Sequence, residues 1–128
     1  MPIDIQTDTT KNLTIYECIG HVEFIDIVEA MVKYYEGIGV VQTNKVIWDF
    51  SRQDTIHLTQ YQTNKLADLN LMHSGKFEGV KTAILPPKIV NDELLGLLKS
   101  RVATPSRTLK VCHGKIEAME WLGIKKGR

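Results

Sequence analysis

Five short apolar stretches, separated by segments whose apolar residues recur at helical spacing, constrain this chain more than anything else in its 128 residues. The strand-like stretches are Pro2 to Gln6, Leu13 to Ile19, Asn44 to Phe50, Lys81 to Leu85 and Thr108 to Cys112. Ile3 and Ile5 alternate at period two, and Pro86-Pro87 closes the fourth stretch because proline cannot donate to a ladder. Between them, Glu23 to Glu36 carries Phe24, Ile27, Val28, Met31, Val32 and Tyr35 on one helical stripe, ended by Gly37. A second helix starts at Thr59, where Thr59 and Gln62 form a capping box. Leu66, Leu69 and Met72 or His73 supply its stripe, and Gly75 ends it. Asn91 caps a third helix through Val102, with Asp92 and Glu93 suited to its positive end. Gly114 to Leu122 is the last helix, with Ile116, Met119 and Leu122 on its stripe and Ala118 and Trp121 on the flank.

The resulting order, ββαβαβαβα, predicts an α/β fold: a five-stranded, mostly parallel sheet with four helices and right-handed crossovers. No repeat or linker divides it, so residues 1–128 read as one domain. Hydrophobic residues at 43% and charged ones at 24% are ordinary for a globular chain. The net charge of +1, with scattered basic residues, speaks against nucleic acid as a partner. No apolar run has the roughly 18 residues of a membrane span, and Met-Pro-Ile-Asp does not open a signal peptide. Cys18 and Cys112 lack metal spacing and read as buried thiols of a reducing compartment, with a disulfide between them left open. The expected setting is the cytoplasm. Lys125, Lys126 and Arg128 read as a solvated tail.

Chemical motifs are sparse. Neither a dinucleotide nor a Walker phosphate loop is present, and there is no G-x-S-x-G elbow. The four histidines share no ligand spacing, so neither a metal nor a cofactor is expected. A phosphoacceptor receiver domain would need an acidic pair after an early strand to hold magnesium, and Gln6-Thr7 and Ile19-Gly20 stand there instead.

The best site candidates lie in the stretch from Val46 to Thr59, where an apolar strand turns polar before a helix start. Polar groups there sit at the carboxyl edge of the sheet, where open α/β folds keep their sites. Asp49 reads first as a partner for neighbouring loop amides, and Ser51 follows it. Arg52, Asp54 and His57 form either a small ligand-orienting cluster or a solvated loop. Thr59 reads as an N-cap, with a phosphosite as the sharper alternative. Tyr34, Tyr35, Trp48 and Trp121 read as core before they read as a pocket lining. Cys112-His113 are adjacent on a strand and point to opposite faces, which argues against a thiol–base pair.

Three segments carry a family resemblance: Trp48-Asp-Phe-Ser51, Lys81-Thr-Ala-Ile-Leu85, and Leu109 through Leu122 with its closing Glu117-Ala-x-x-Trp-Leu. In this arrangement the chain resembles the SpoIIAA-like proteins of the STAS superfamily, related in fold to the CRAL-TRIO lipid-binding domains. The resemblance implies a STAS-like fold and a bacterial interaction protein. Anti-sigma-factor antagonists of that group carry Asp-Ser-Ser-Gly at the start of the second helix and are phosphorylated on the first serine. Matching their Leu-Asp-Leu-Ser strand end to Trp48-Asp49-Phe50-Ser51 brings the motif onto His57-Leu58-Thr59-Gln60. Leu58 has no hydroxyl and Gln60 replaces the glycine, so the phospho-switch is expected to be lost.

The expectation is therefore a non-enzymatic STAS-like module, without catalytic residues, that docks a partner protein through Asp49, Ser51, Arg52, Asp54, His57 and Thr59. The alternative is a carrier or sensor of a small apolar, lipid-like ligand, motivated by the apolar faces of the first and third helices. A homodimer through an edge strand or the first helix is left open.

Overall fold

The computed structural model describes residues 2–37, 43–72, 80–90 and 108–124. Along the chain these form β1 (Ile3–Asp8), β2 (Leu13–Cys18), α1 (Phe24–Glu36), β3 (Lys45–Asp49), α2 (Gln60–Met72), β4 (Lys81–Leu85), β5 (Thr108–Val111) and α3 (Lys115–Trp121). The architecture is α/β, with a mixed sheet ordered β1-β2-β3-β4-β5. β1 runs antiparallel to β2, and the other neighbours are parallel. The helix expected over Asn91–Val102, the helix stop at Gly75 and the basic tail lie outside the described residues. No helix among the described residues is long and apolar enough to cross a membrane.

The first turn is built by one carboxylate. Asp8 accepts from the Thr10 hydroxyl at 2.6 Å and from the backbone N–H groups of Thr10 and Lys11 at 3.0 and 3.3 Å. The Thr10 hydroxyl leads in holding this carboxyl below its usual range. Asn12 closes the turn at φ 54, a left-handed conformation that asparagine tolerates better than most residues.

In a strand, successive side chains go to opposite faces, so the register fixes which residues meet. One row, Ile5–Tyr16–Trp48–Ile84–Val111, crosses all five strands on one face. The Tyr16 and Trp48 rings stack at 4.3 Å between centroids, and Phe50 continues the stack at 5.8 Å from Trp48. Ile27, Ala30, Met31, Tyr34 and Tyr35 of α1 and Leu66 of α2 cover this row. The two crossover helices among the described residues thus lie on one face, as expected when a sequential strand order keeps a single crossover hand.

The opposite face is smaller. Leu13, Ile47, Ala83, Leu85 and Cys112 pack there against Ala118, Leu122 and Ile124, with Met119 and Trp121 at the margin. Covered on both sides, β3 and β4 read as apolar runs rather than alternations.

The stripes of α1 and α3 need correction, whereas the cysteines are buried thiols as read. The buried stripe of α1 includes Ala30 and Tyr34, whereas Val32 is only half-buried. Its N-cap is Glu23, whose backbone N–H donates to the Asp26 carboxylate at 2.8 Å. On α3, Ile116 is 60% exposed and Ala118 is the fully buried residue, because the close approach to β4 selects the small side chain. The cysteines are free and belong to cores on opposite faces. β2 and β5 are separated by two strands, so Cys18 and Cys112 lie roughly 14 Å apart at ~4.8 Å per strand, twice what a disulfide spans.

The amino edge of the sheet is closed by hydroxyls. Tyr34 donates its phenol to the Thr43 carbonyl. The hydroxyls of Thr14 and Thr43 meet at 2.8 Å, and Thr43 also donates to the Lys45 carbonyl at 2.9 Å. Both threonines are buried, and these bonds settle their polar atoms.

Candidate functional site

The carboxyl edge is built differently. Beyond β3 the Phe50 N–H still reaches the Leu85 carbonyl at 2.8 Å, which extends the parallel ladder by one residue. Asp49, buried, accepts from the Ser51 N–H at 2.9 Å and from the Ser51 hydroxyl at 2.5 Å, the local role expected of it. The Gln53 amide nitrogen donates to the carbonyls of Cys18 and Gly20 at 3.1 and 2.8 Å, tying this loop to the end of β2. The segment after β4 docks on the same loop. Lys88 and Ile89 donate their N–H groups to Gln53 and Asp54 at 3.0 and 2.8 Å, and Lys88 Nζ lies 3.5 Å from the Asp54 carboxylate.

Ile56 and Leu58 then turn into the core while His57 and Thr59 face out. The capping box forms as its spacing predicts. The Thr59 hydroxyl accepts from Gln62 N–H at 3.1 Å, and the Gln62 side chain accepts from Thr59 N–H at 3.0 Å. The loop from Ser51 to Thr59 is thus irregular in backbone but pinned at both ends and in the middle.

Between this loop and the β2–α1 connection lies an open cavity of about 210 Å³. His21, Val22, Glu23 and Phe24 line one side. Gln53, Thr55, His57 and Gln62 line the other. His21 Nε2 lies 3.6 Å from the Glu23 carboxylate. The Thr55 hydroxyl oxygen is covered from solvent and has no hydrogen-bond partner.

Of the residues singled out in the sequence, only His57 reaches this cavity. Asp54 is drawn off to Lys88, Arg52 sits on the exposed turn, and no hydrogen bond or ion pair among the described residues joins the three. Ser51 is exposed beside Asp49, and Thr59 is engaged as a cap. Tyr34, Tyr35 and Trp48 are core residues. Trp121 is half-buried on α3 with the Lys81 ammonium 5.7 Å from its ring centre.

The sequence reading missed His21, Thr55 and Gln53. His21 follows the end of β2 as Ser51 to His57 follow the end of β3. Parallel neighbours bring such post-strand segments together, and that signal was there to use.

Neither thiol is poised to react. Burial pushes the Cys18 thiol up to about 12 and raises that of Cys112, so both stay protonated at neutral pH. Among the described residues no group of three or more His, Cys, Asp or Glu is placed to hold a metal ion. Comparison with protein-family models, with curated proteins and with solved structures finds no match to this chain.

Proposed function

We propose that this chain is a STAS-like interaction module that docks a partner protein on the loop from Asp49 to Thr59 and the adjoining face of α2. One observation carries the reading: a rigid polar loop is bracketed by exposed apolar side chains. Tyr61, on the first turn of α2, is 68% exposed, and Ile89, bonded through its N–H to Asp54, is 63% exposed. Val90 extends the same flank. An aromatic and aliphatic rim around fixed polar groups is the composition that protein interfaces favour. The backbone bonds and capping box mean that little ordering cost remains for binding.

The lost hydroxyl at Leu58 and the cap role of Thr59 favour constitutive docking over a phospho-switch. The mixed five-stranded sheet, with β1 added antiparallel, is that of a general α/β fold. The lipid-carrier alternative drew on the apolar face of α1, which is packed on the sheet. The other helix that motivated it lies outside the described residues.

The test is site-specific crosslinking. A photoreactive phenylalanine at position 61 should capture one partner that the same probe at position 4, on β1, does not. The Arg52→Glu, Lys65→Glu double variant should lose that adduct while keeping its far-ultraviolet circular dichroism. Equal capture from both positions, or an adduct indifferent to the charge reversal, would refute the reading. A crosslinked homodimer from position 4 would instead identify the β1 edge as a self-association surface.

A further inference from the structure

We infer that the cavity between the β2–α1 and β3–α2 connections is a binding site for a compact neutral polyol, of the size of a monosaccharide. Its inventory of unused hydrogen-bonding groups supports this. Gln53 spends its amide nitrogen on Cys18 and Gly20, which leaves its carbonyl oxygen free to accept. Gln62 spends its carbonyl oxygen on Thr59 and so keeps its amide nitrogen free to donate. Thr55, in the lining, brings a hydroxyl that is covered from solvent and has no partner. His57 adds an imidazole, which carries a donor and an acceptor when neutral.

Donors and acceptors are therefore mixed within one small space. A ligand hydroxyl both donates and accepts, so a polyol can satisfy all of these groups. An ammonium only donates and would leave Gln62 and any imidazole N–H without an acceptor. An anion finds neither lysine nor arginine in the lining and meets the Glu23 carboxylate instead. Phe24 and Val22 offer apolar surface for the C–H face of a sugar ring. At about 210 Å³ the cavity is below the roughly 300–1,000 Å³ of drug-sized sites, which sets the ligand's scale. Gln53, Thr55 and His57 belong to the loop of the docking proposal as well. Arg52, Lys65 and Tyr61, on which its test rests, do not line the cavity, so loss of the crosslink and loss of polyol binding are separate readouts.

The experiment is a two-dimensional amide NMR titration of the whole chain with glucose, ribose and myo-inositol. Adenosine and inorganic phosphate serve as comparison probes. Saturable shifts confined to residues 21–24, 53–57 and 62 are expected with at least one polyol. Thr55→Val keeps the shape and removes the unpartnered hydroxyl. It should leave the thermal midpoint equal or higher while weakening polyol binding about tenfold, the equivalent of one good hydrogen bond. His57→Ala should weaken binding similarly without loss of fold. The inference is overturned if no polyol saturates, if only phosphate or adenosine does, or if neither variant changes the affinity.

Discussion

The two faces of the sheet are made from the same five strands and hold their helices by different means. On one face large rings interlock: Tyr16, Trp48 and Phe50 stack, and Tyr34 meets Tyr16 edge-on at 6.5 Å. The other face is made of small and aliphatic residues, with Ala83, Cys112 and Ala118 fully buried, so that α3 sits close against the strands. Its rim is charged: Lys115 lies 3.6 Å from Glu17, Lys110 lies 3.7 Å from Glu117, and Lys81 lies over Trp121. The first face depends on area removed from water and the second on fit. Truncation should therefore hurt one face most and enlargement the other.

The largest expected effect is Trp48→Ala. It removes the ring that links Tyr16 to Phe50 and leaves a cavity at the centre of the sheet, at a cost of about 3–5 kcal/mol in urea unfolding. A loss under about 1 kcal/mol would mean that the aromatic face can collapse around the gap. Next comes Ala118→Leu on the opposite face. Extra volume at a fully buried alanine should cost about 1–3 kcal/mol and displace α3, seen as shifts in the amides of β4 and α3. A neutral outcome would show that α3 is loosely seated and that fit is not what holds it.

What the sequence revealed follows the same division between local and distant causes. β3, β4 and the Thr59 cap were legible because each depends on neighbours within a few residues. The start of α1 at Glu23 was legible too, but the way it is capped was not. Glutamate is a poor N-cap by type, and Asp26 serves it by reaching back to the Glu23 N–H. On α3, Leu122 and Met119 face the core as read. Only Ile116 was misassigned, because seven residues make barely two turns, too few for a period to single out Ala118 over Ile116. Thr43, a polar residue just before β3, is buried and satisfied by Thr14 and Tyr34, which are distant in the chain. The cavity was hidden for a similar reason: His21 and His57 face one space only because β2 and β3 pair in parallel.

A smaller effect, of the opposite sign, sharpens the account of the aromatic face. The Tyr16 phenol is buried without a partner, and burial raises its pKa. Leaving a buried hydroxyl unsatisfied costs about 1–3 kcal/mol, part of which the ring's packing offsets. Tyr16→Phe keeps the stack and deletes the hydroxyl, so the protein should gain about 1 kcal/mol and unfold at higher temperature. A loss of stability would reveal a partner for that oxygen.

The smallest effect belongs to the charged rim and should depend on pH, as the aromatic face should not. The His113 N–H donates to the Glu117 carboxylate at 3.2 Å, and this bond, with the Lys110 ammonium behind it, holds the carboxyl below its usual range. A carboxyl whose pKa is lower folded than unfolded adds stability above its unfolded pKa of about 4.3 and loses it as pH falls through the folded value. Glu117→Gln should therefore lower the urea midpoint slightly at neutral pH. The gap to the parent protein should close as the solution is acidified through that window. Salt should narrow the gap too, because the pair is exposed to solvent. Trp48→Ala, measured alongside, should show a deficit that neither acid nor salt closes. If the Glu117→Gln gap stays constant from neutral to acid, the rim charges do not secure α3, and the small-residue fit must hold that face alone.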